Sequence, residues 1–118
     1  MPNPYHAPEI SVQEVARKRA AGESFVLMDV RELAELSLAN LGDDAILVSM
    51  SELAARQLAA LPEAAQDQTA EIVVFCHTGV RSAQVTAWLR YQGWQNVTSM
   101  AGGIDAYAAE IDPGIGFY

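Results

Sequence analysis

Ile72-Val73-Val74-Phe75-Cys76-His77-Thr78-Gly79-Val80-Arg81-Ser82 is the stretch on which the fold turns. Its first four residues are all apolar and mostly β-branched or aromatic. That pattern predicts a strand buried on both faces. A six-residue loop, Cys76 to Arg81, follows, and a helix is expected to start at about Arg81 to Ser82. Val85, Trp88, Leu89 and Gln92 mark that helix's face, and Gly93 closes it. In a parallel sheet covered by helices, such a strand–loop–helix unit presents its chemistry at the carboxyl end of the strand.

The rest of the chain repeats the alternation. Ser11 and Glu14 form an S-x-x-E capping box, with Val12, Val15, Ala16 and Ala20 on one helical face and Gly22 as a stop. Phe25-Val26-Leu27-Met28, ending at Asp29, predicts a second buried strand, with a short helix over Glu32 to Ser37 after it. Ala45-Ile46-Leu47-Val48 predicts a third strand after the Gly42-Asp43-Asp44 turn. Ser49 with Glu52 caps a helix expected to stop before Pro62. Asn96-Val97-Thr98-Ser99 predicts the last strand, and Ile104, Tyr107, Ala108 and Ile111 the face of a final helix that ends at Asp112-Pro113-Gly114. Continuous apolar strands between helices imply an α/β fold with a mostly parallel sheet.

The 118 residues favour one domain over 1–118, with a core of about 9–110 and terminal extensions 1–8 and 111–118. Seven bases against 15 acids give a net charge of −8, which disfavours nucleic acid and anionic membrane as partners. No apolar run is long enough for a membrane span, and Met1 to Ile10 lacks the pattern of a secretory signal. A single cysteine excludes an internal disulfide and any CxxC pair, and fits a reducing, cytoplasmic setting. With two histidines and one cysteine there is no metal-ligand cluster, and no cofactor is expected.

The loop around Cys76 suits a sulfur nucleophile. A free thiol is mostly protonated at neutral pH, so the anion needs help. Gly79 permits a positive φ, which lets successive N–H groups converge on one point beside a helix N-terminus. Arg81 adds a permanent cation with a fork of donors, and Ser82 and Thr78 offer hydroxyls. The result is a small anion cradle formed by His77, Thr78, Gly79, Val80, Arg81 and Ser82 around Cys76.

Cys76-x-x-Gly79-x-Arg81-Ser82 after its apolar strand resembles the active-site loop of rhodanese-type sulfurtransferases. Met28-Asp29-Val30-Arg31-Glu32 resembles the family's DVRE motif, and Gly93 to Val97 and Ala101 to Tyr107 its last strand and final helix start, in the family's order. The resemblance implies a rhodanese-like three-layer fold, with a central, mostly parallel sheet of about five strands and helices on both faces. It implies that Cys76 takes a sulfane sulfur from a thiosulfate-like donor as a persulfide and passes it to cyanide, a cellular thiol or a protein acceptor. It makes Asp29 and Arg31 supports of the loop. One segment departs: Leu38 to Ala45 stands where the family often has Gly-His-Ile-Pro-Gly-Ala, and Ser49 where proline is common.

Other readings compete. The same fold can serve as a binding or sulfur-carrier module without turnover, although such a module needs neither Cys76 nor Arg81. A cysteine phosphatase or arsenate reductase uses a loop one residue longer than this Cys-x4-Arg. His77 is expected to face solvent, and Asp29 to anchor the loop by hydrogen bonds. Arg31 is expected either to pair with Glu35 at i+4 or to add to the anion field. Trp88 and Trp94 are expected to pack, with Trp94 a lesser candidate for a pocket rim. Phe117 and Tyr118 either dock or fray. Ile72 to Ile104 contains no acid and two arginines, so an anion-attracting field around the loop is expected.

Overall fold

The computed structural model describes residues 4–118; Met1–Asn3, the start of the expected N-terminal extension, lie outside the described residues. Among the described residues, five strands form one sheet: β1 (Glu9–Ile10), β2 (Val26–Asp29), β3 (Ala45–Leu47), β4 (Ile72–Phe75) and β5 (Val97–Met100). Their order is β1-β5-β4-β2-β3, and every pairing is parallel. The quoted strand, β4, lies in the middle, with Phe75 opposite Asp29 of β2 and Val74 opposite Ser99 of β5.

Both faces are covered, which is why β2 and β4 have no polar alternation. Val26, Met28, Ile72 and Val74 pack with Leu53 of α2 (Met50–Arg56) and Val85 and Leu89 of α3 (Val80–Tyr91). Leu27, Val73 and Phe75 point the other way, to Val12 and Val15 of α1 (Val12–Ala20) and Ile104 and Tyr107 of α4 (Gly103–Glu110). The period of two along each strand therefore sorts its side chains between two cores. Trp94 is buried in the first core, where its indole N–H donates to the Ala65 carbonyl at 2.8 Å; it forms no pocket rim.

The local signals act much as expected. Ser11 caps α1, its hydroxyl accepting from the Glu14 N–H at 3.1 Å, while the Glu14 carboxylate turns to Arg17 instead of closing the box. Ser49 caps α2 in the same way, which gives it a function where the family often has proline. Three elements differ from the sequence reading. β1 was not foreseen from the pattern: two residues carry no periodicity, and the strand exists because β5 holds it, with the Ala101 N–H donating to Ile10. Leu33–Ser37 is a 3-10 turn. The helix after Ser49 ends at Arg56, because Gln57 takes φ +53°, and 3-10 turns carry the chain to Ala65. Among the described residues no helix is long and apolar enough to cross a membrane.

Candidate active site

The carboxyl ends of β2, β4 and β5 meet beneath one loop. Cys76 leaves β4 and is buried, with 1% of its surface exposed. Gly79 follows at φ +102° and serves as N-cap of α3, which begins at Val80, slightly earlier than the sequence reading placed it. That conformation turns the amides inward. Among the described residues two N–H groups reach the sulfur, Gly79 at 3.1 Å and Ser82 at 3.3 Å. The Cys76 thiol lies 3.5 Å from the Ser82 hydroxyl, which in turn shares a 2.8 Å hydrogen bond with Ser99 of β5. Thr78 and Val80 point to solvent on the outer rim.

The loop is held from behind by the start of α4. The Ile104 N–H donates to the Cys76 carbonyl at 2.9 Å and the Asp105 N–H to the His77 carbonyl at 3.0 Å. With their carbonyls taken by α4, these peptides leave the opposite side of the loop to present N–H groups. Gly103 makes the approach possible: a Cβ there would lie 2.6 Å from the Cys76 carbonyl oxygen and still closer to that of His77.

A charged network flanks the loop. Asp29, at the end of β2, accepts from the Arg31 backbone N–H and from Nε (3.0 Å each), and from Nη2 at 2.8 Å. Arg31 is fully buried, its guanidinium over Phe75 and bonded through Nη1 to the Tyr118 hydroxyl at 3.1 Å. The alternative of an Arg31 ion pair with the Glu35 side chain is not realised; Arg31 reaches only the Glu35 backbone carbonyl, at 3.3 Å. Asp29 lies nearer and at fixed register, and takes the guanidinium first.

The Glu35 carboxylate goes instead to Arg81, in a two-pronged pair of 2.8 and 2.9 Å. It also accepts from the Glu32 N–H and the Tyr118 hydroxyl, both at 2.8 Å. The Arg81 fork, helped by the Glu32 N–H and the Tyr118 hydroxyl and opposed by burial, holds the Glu35 carboxyl down at about 2. Arg81 is made more basic by Glu35 and lies within electrostatic reach of Cys76. The acid-free sequence around Cys76 is therefore not an acid-free surrounding, because Glu35 is delivered from a distant segment.

Tyr118 docks: its ring stacks on His77 at 3.8 Å between centroids and 8° between planes. His77 is half-buried beneath it, not turned to solvent as expected. Phe117 is exposed. The Asn40 N–H donates to Ile115, and Gly116, at φ +105°, packs on the Leu38 carbonyl. The atypical Leu38–Ala45 segment thus forms the bed for the chain leading to Tyr118, with Ala39 and Leu41 in the second core. Sequence reasoning named Glu35 only as a partner for Arg31 and missed its pairing with Arg81, along with Ser99 and the support from Gly103. Only Gly103 carried a local signal, in the Gly102-Gly103 pair ahead of a helix.

Comparison with known proteins agrees with the geometry. The family model for the rhodanese-like domain matches residues 11–110. A "Sulfurtransferase" from Allochromatium vinosum is 31% identical over 100 residues, covering 85% of this chain and 87% of its own. A "Probable adenylyltransferase/sulfurtransferase MoeZ" from Mycobacterium tuberculosis is 35% identical over 99 residues, or 83% of this chain; the match spans only 24% of that protein. The solved human single-domain sulfurtransferase TSTD1 superposes with a TM-score of 0.69 at 26% identity, over 88% of this chain and 97% of that one.

Proposed function

The chain belongs to the rhodanese-like domain family, and on that premise we propose that it moves a sulfane sulfur from a thiosulfate-like donor to a thiophilic acceptor through a persulfide on Cys76. The observation that carries this reading is the pair of N–H groups 3.1 and 3.3 Å from the sulfur of the chain's one cysteine, at the end of the central strand. Oriented amides at that distance stabilise negative charge on a sulfur without reorganising during reaction.

In the first step the Cys76 thiolate attacks the outer sulfur of thiosulfate. A new S–S bond forms, the donor's own S–S bond breaks, and sulfite leaves with the electron pair. In the second step an acceptor nucleophile, cyanide or a thiolate, attacks the outer sulfur of the persulfide, and the Cys76 thiolate departs. Charge and atoms balance in both steps, and neither needs an external oxidant. The Gly79 and Ser82 amides donate to the sulfur that attacks and later departs. In the persulfide the negative charge sits one atom further out, and on this reading the remaining loop amides, the Ser82 hydroxyl and an Arg81 released from Glu35 share it. Asp29 fixes Arg31, and Arg31 in turn braces the site through Phe75 and through Tyr118, which stacks on His77.

The test is intact mass before and after incubation with thiosulfate, alongside thiocyanate formation from thiosulfate and cyanide. Wild type is expected to gain one sulfur atom and to turn over; Cys76→Ser is expected to do neither. Failure of wild type to gain sulfur from thiosulfate or any other sulfane donor overturns the reading.

A further inference from the structure

We infer that Glu35 is a positioning residue that occupies the Arg81 guanidinium in the resting site, and that an anionic sulfur donor binds by drawing that guanidinium away from the carboxylate, which Tyr118 and Glu32 then hold. The inference rests on the sulfurtransferase reading above and assigns the control of donor binding in that site.

The hydrogen bonds around Glu35 make the exchange possible. One carboxylate oxygen accepts from Arg81 Nη2 at 2.9 Å and from the Tyr118 hydroxyl at 2.8 Å. The other accepts from Arg81 Nη1 and from the Glu32 backbone N–H, each at 2.8 Å. If Arg81 leaves, each oxygen keeps one donor, so no half-buried carboxylate is stranded. Arg31, 3.1 Å from the Tyr118 hydroxyl, keeps a positive charge beside it. Solvent lies on one side of Arg81, whose side chain is 33% exposed, and the residue stands in the first turn of α3 next to the cradle.

Electrostatics supplies the reason for such a latch. A dianionic donor approaching a thiolate is repelled, and the loop's cation must offset that repulsion. While Arg81 is paired with Glu35 its field is largely cancelled. The strength of the Arg81–Glu35 pair therefore sets the free-energy cost of binding an anion, and leaves an uncharged donor unaffected. Tyr118 ties the latch to the nucleophile loop, because the ring whose hydroxyl holds Glu35 is stacked on His77, the neighbour of Cys76.

The variants should move in opposite directions. In Glu35→Gln the guanidinium is no longer neutralised, so the KM for thiosulfate should fall by about fivefold, the size expected for a partly exposed ion pair, with the effect on KM exceeding that on kcat. In Tyr118→Phe the carboxylate loses the donor that would hold it after release; Arg81 is then harder to withdraw, and the KM for thiosulfate should rise about twofold to threefold. Methanethiosulfonate, a monoanionic donor that gives up its outer sulfur and leaves as methanesulfinate, should show both changes at reduced size. General damage to the site would move both variants the same way, and both donors equally. Sulfite binding by calorimetry repeats the comparison without turnover and should tighten in Glu35→Gln and weaken in Tyr118→Phe. Absence of persulfide on wild type overturns the sulfurtransferase reading. Persulfide on wild type with thiosulfate KM and sulfite affinity unchanged in Glu35→Gln, or shifted in the same direction in both variants, overturns the latch.

Discussion

Thr86 shows what single residues contribute and where local reading stops. Its hydroxyl is fully buried in α3 with no hydrogen-bond partner among the described residues, one turn beyond Ser82. A buried unsatisfied hydroxyl costs on the order of 1–3 kcal/mol, and valine has nearly the same shape. Thr86→Val should therefore stabilise the protein by about 1 kcal/mol, read as a higher midpoint in urea with an unchanged slope; a lower midpoint would mean that the hydroxyl has a partner in solution. At this scale the cradle was readable from sequence, because Cys76, Gly79 and Ser82 lie within one loop and their geometry follows from one positive φ. The partner of Arg81 was not readable. Glu35 lies 46 positions away, and nothing in its own neighbourhood favours Arg81 over Arg31, four residues before it.

Among the elements, the start of α4 is the one that gives the loop its shape. Its first amides bind the carbonyls of Cys76 and His77, and Gly103 allows the two backbones to touch at φ +64°. Gly103→Ala meets both obstacles, a strained backbone and a Cβ pressed against two carbonyl oxygens. It should cost roughly 2–4 kcal/mol and lower sulfur transfer more than a remote substitution of equal destabilisation. Denaturant unfolding and the mass assay on the same samples check both halves. An alanine variant with wild-type stability would show that the loop can retreat from α4 at no cost. The long elements were legible because burial leaves a mark on sequence: β2 and β4 are continuous apolar runs, and α4 keeps its apolar face. β1 and the 3-10 turns left no such mark, since they are too short to show a period and are stabilised by their neighbours.

For the molecule as a whole the charge of −8 matters less than how its acids are placed. Glu35 is the acid whose displacement to about 2 is coupled to the site, and its side chain is 18% exposed against 33% for Arg81. In the unfolded chain this carboxyl titrates near its ordinary 4.5. Between that pH and about 2 the unfolded state therefore binds more protons than the folded one, and stability rises with pH across the window. The contribution of Glu35 is fully present above pH 4.5 and is lost as pH falls through about 2. With Arg81 partly in solvent, it should amount to roughly 1–2 kcal/mol. The same acidification neutralises the exposed acids and relieves the repulsion of a negatively charged surface, which acts in the opposite direction. Comparing Glu35→Gln with wild type isolates one from the other, since the general relief is common to both. The stability difference between the two proteins should be constant from pH 7 to 5 and shrink steadily below 4.5, as measured by urea midpoints at fixed ionic strength. A difference that stays constant down to pH 3 would show that the Arg81–Glu35 pair is not closed in solution. That same closed pair is the starting state required for an anionic donor to act by opening it.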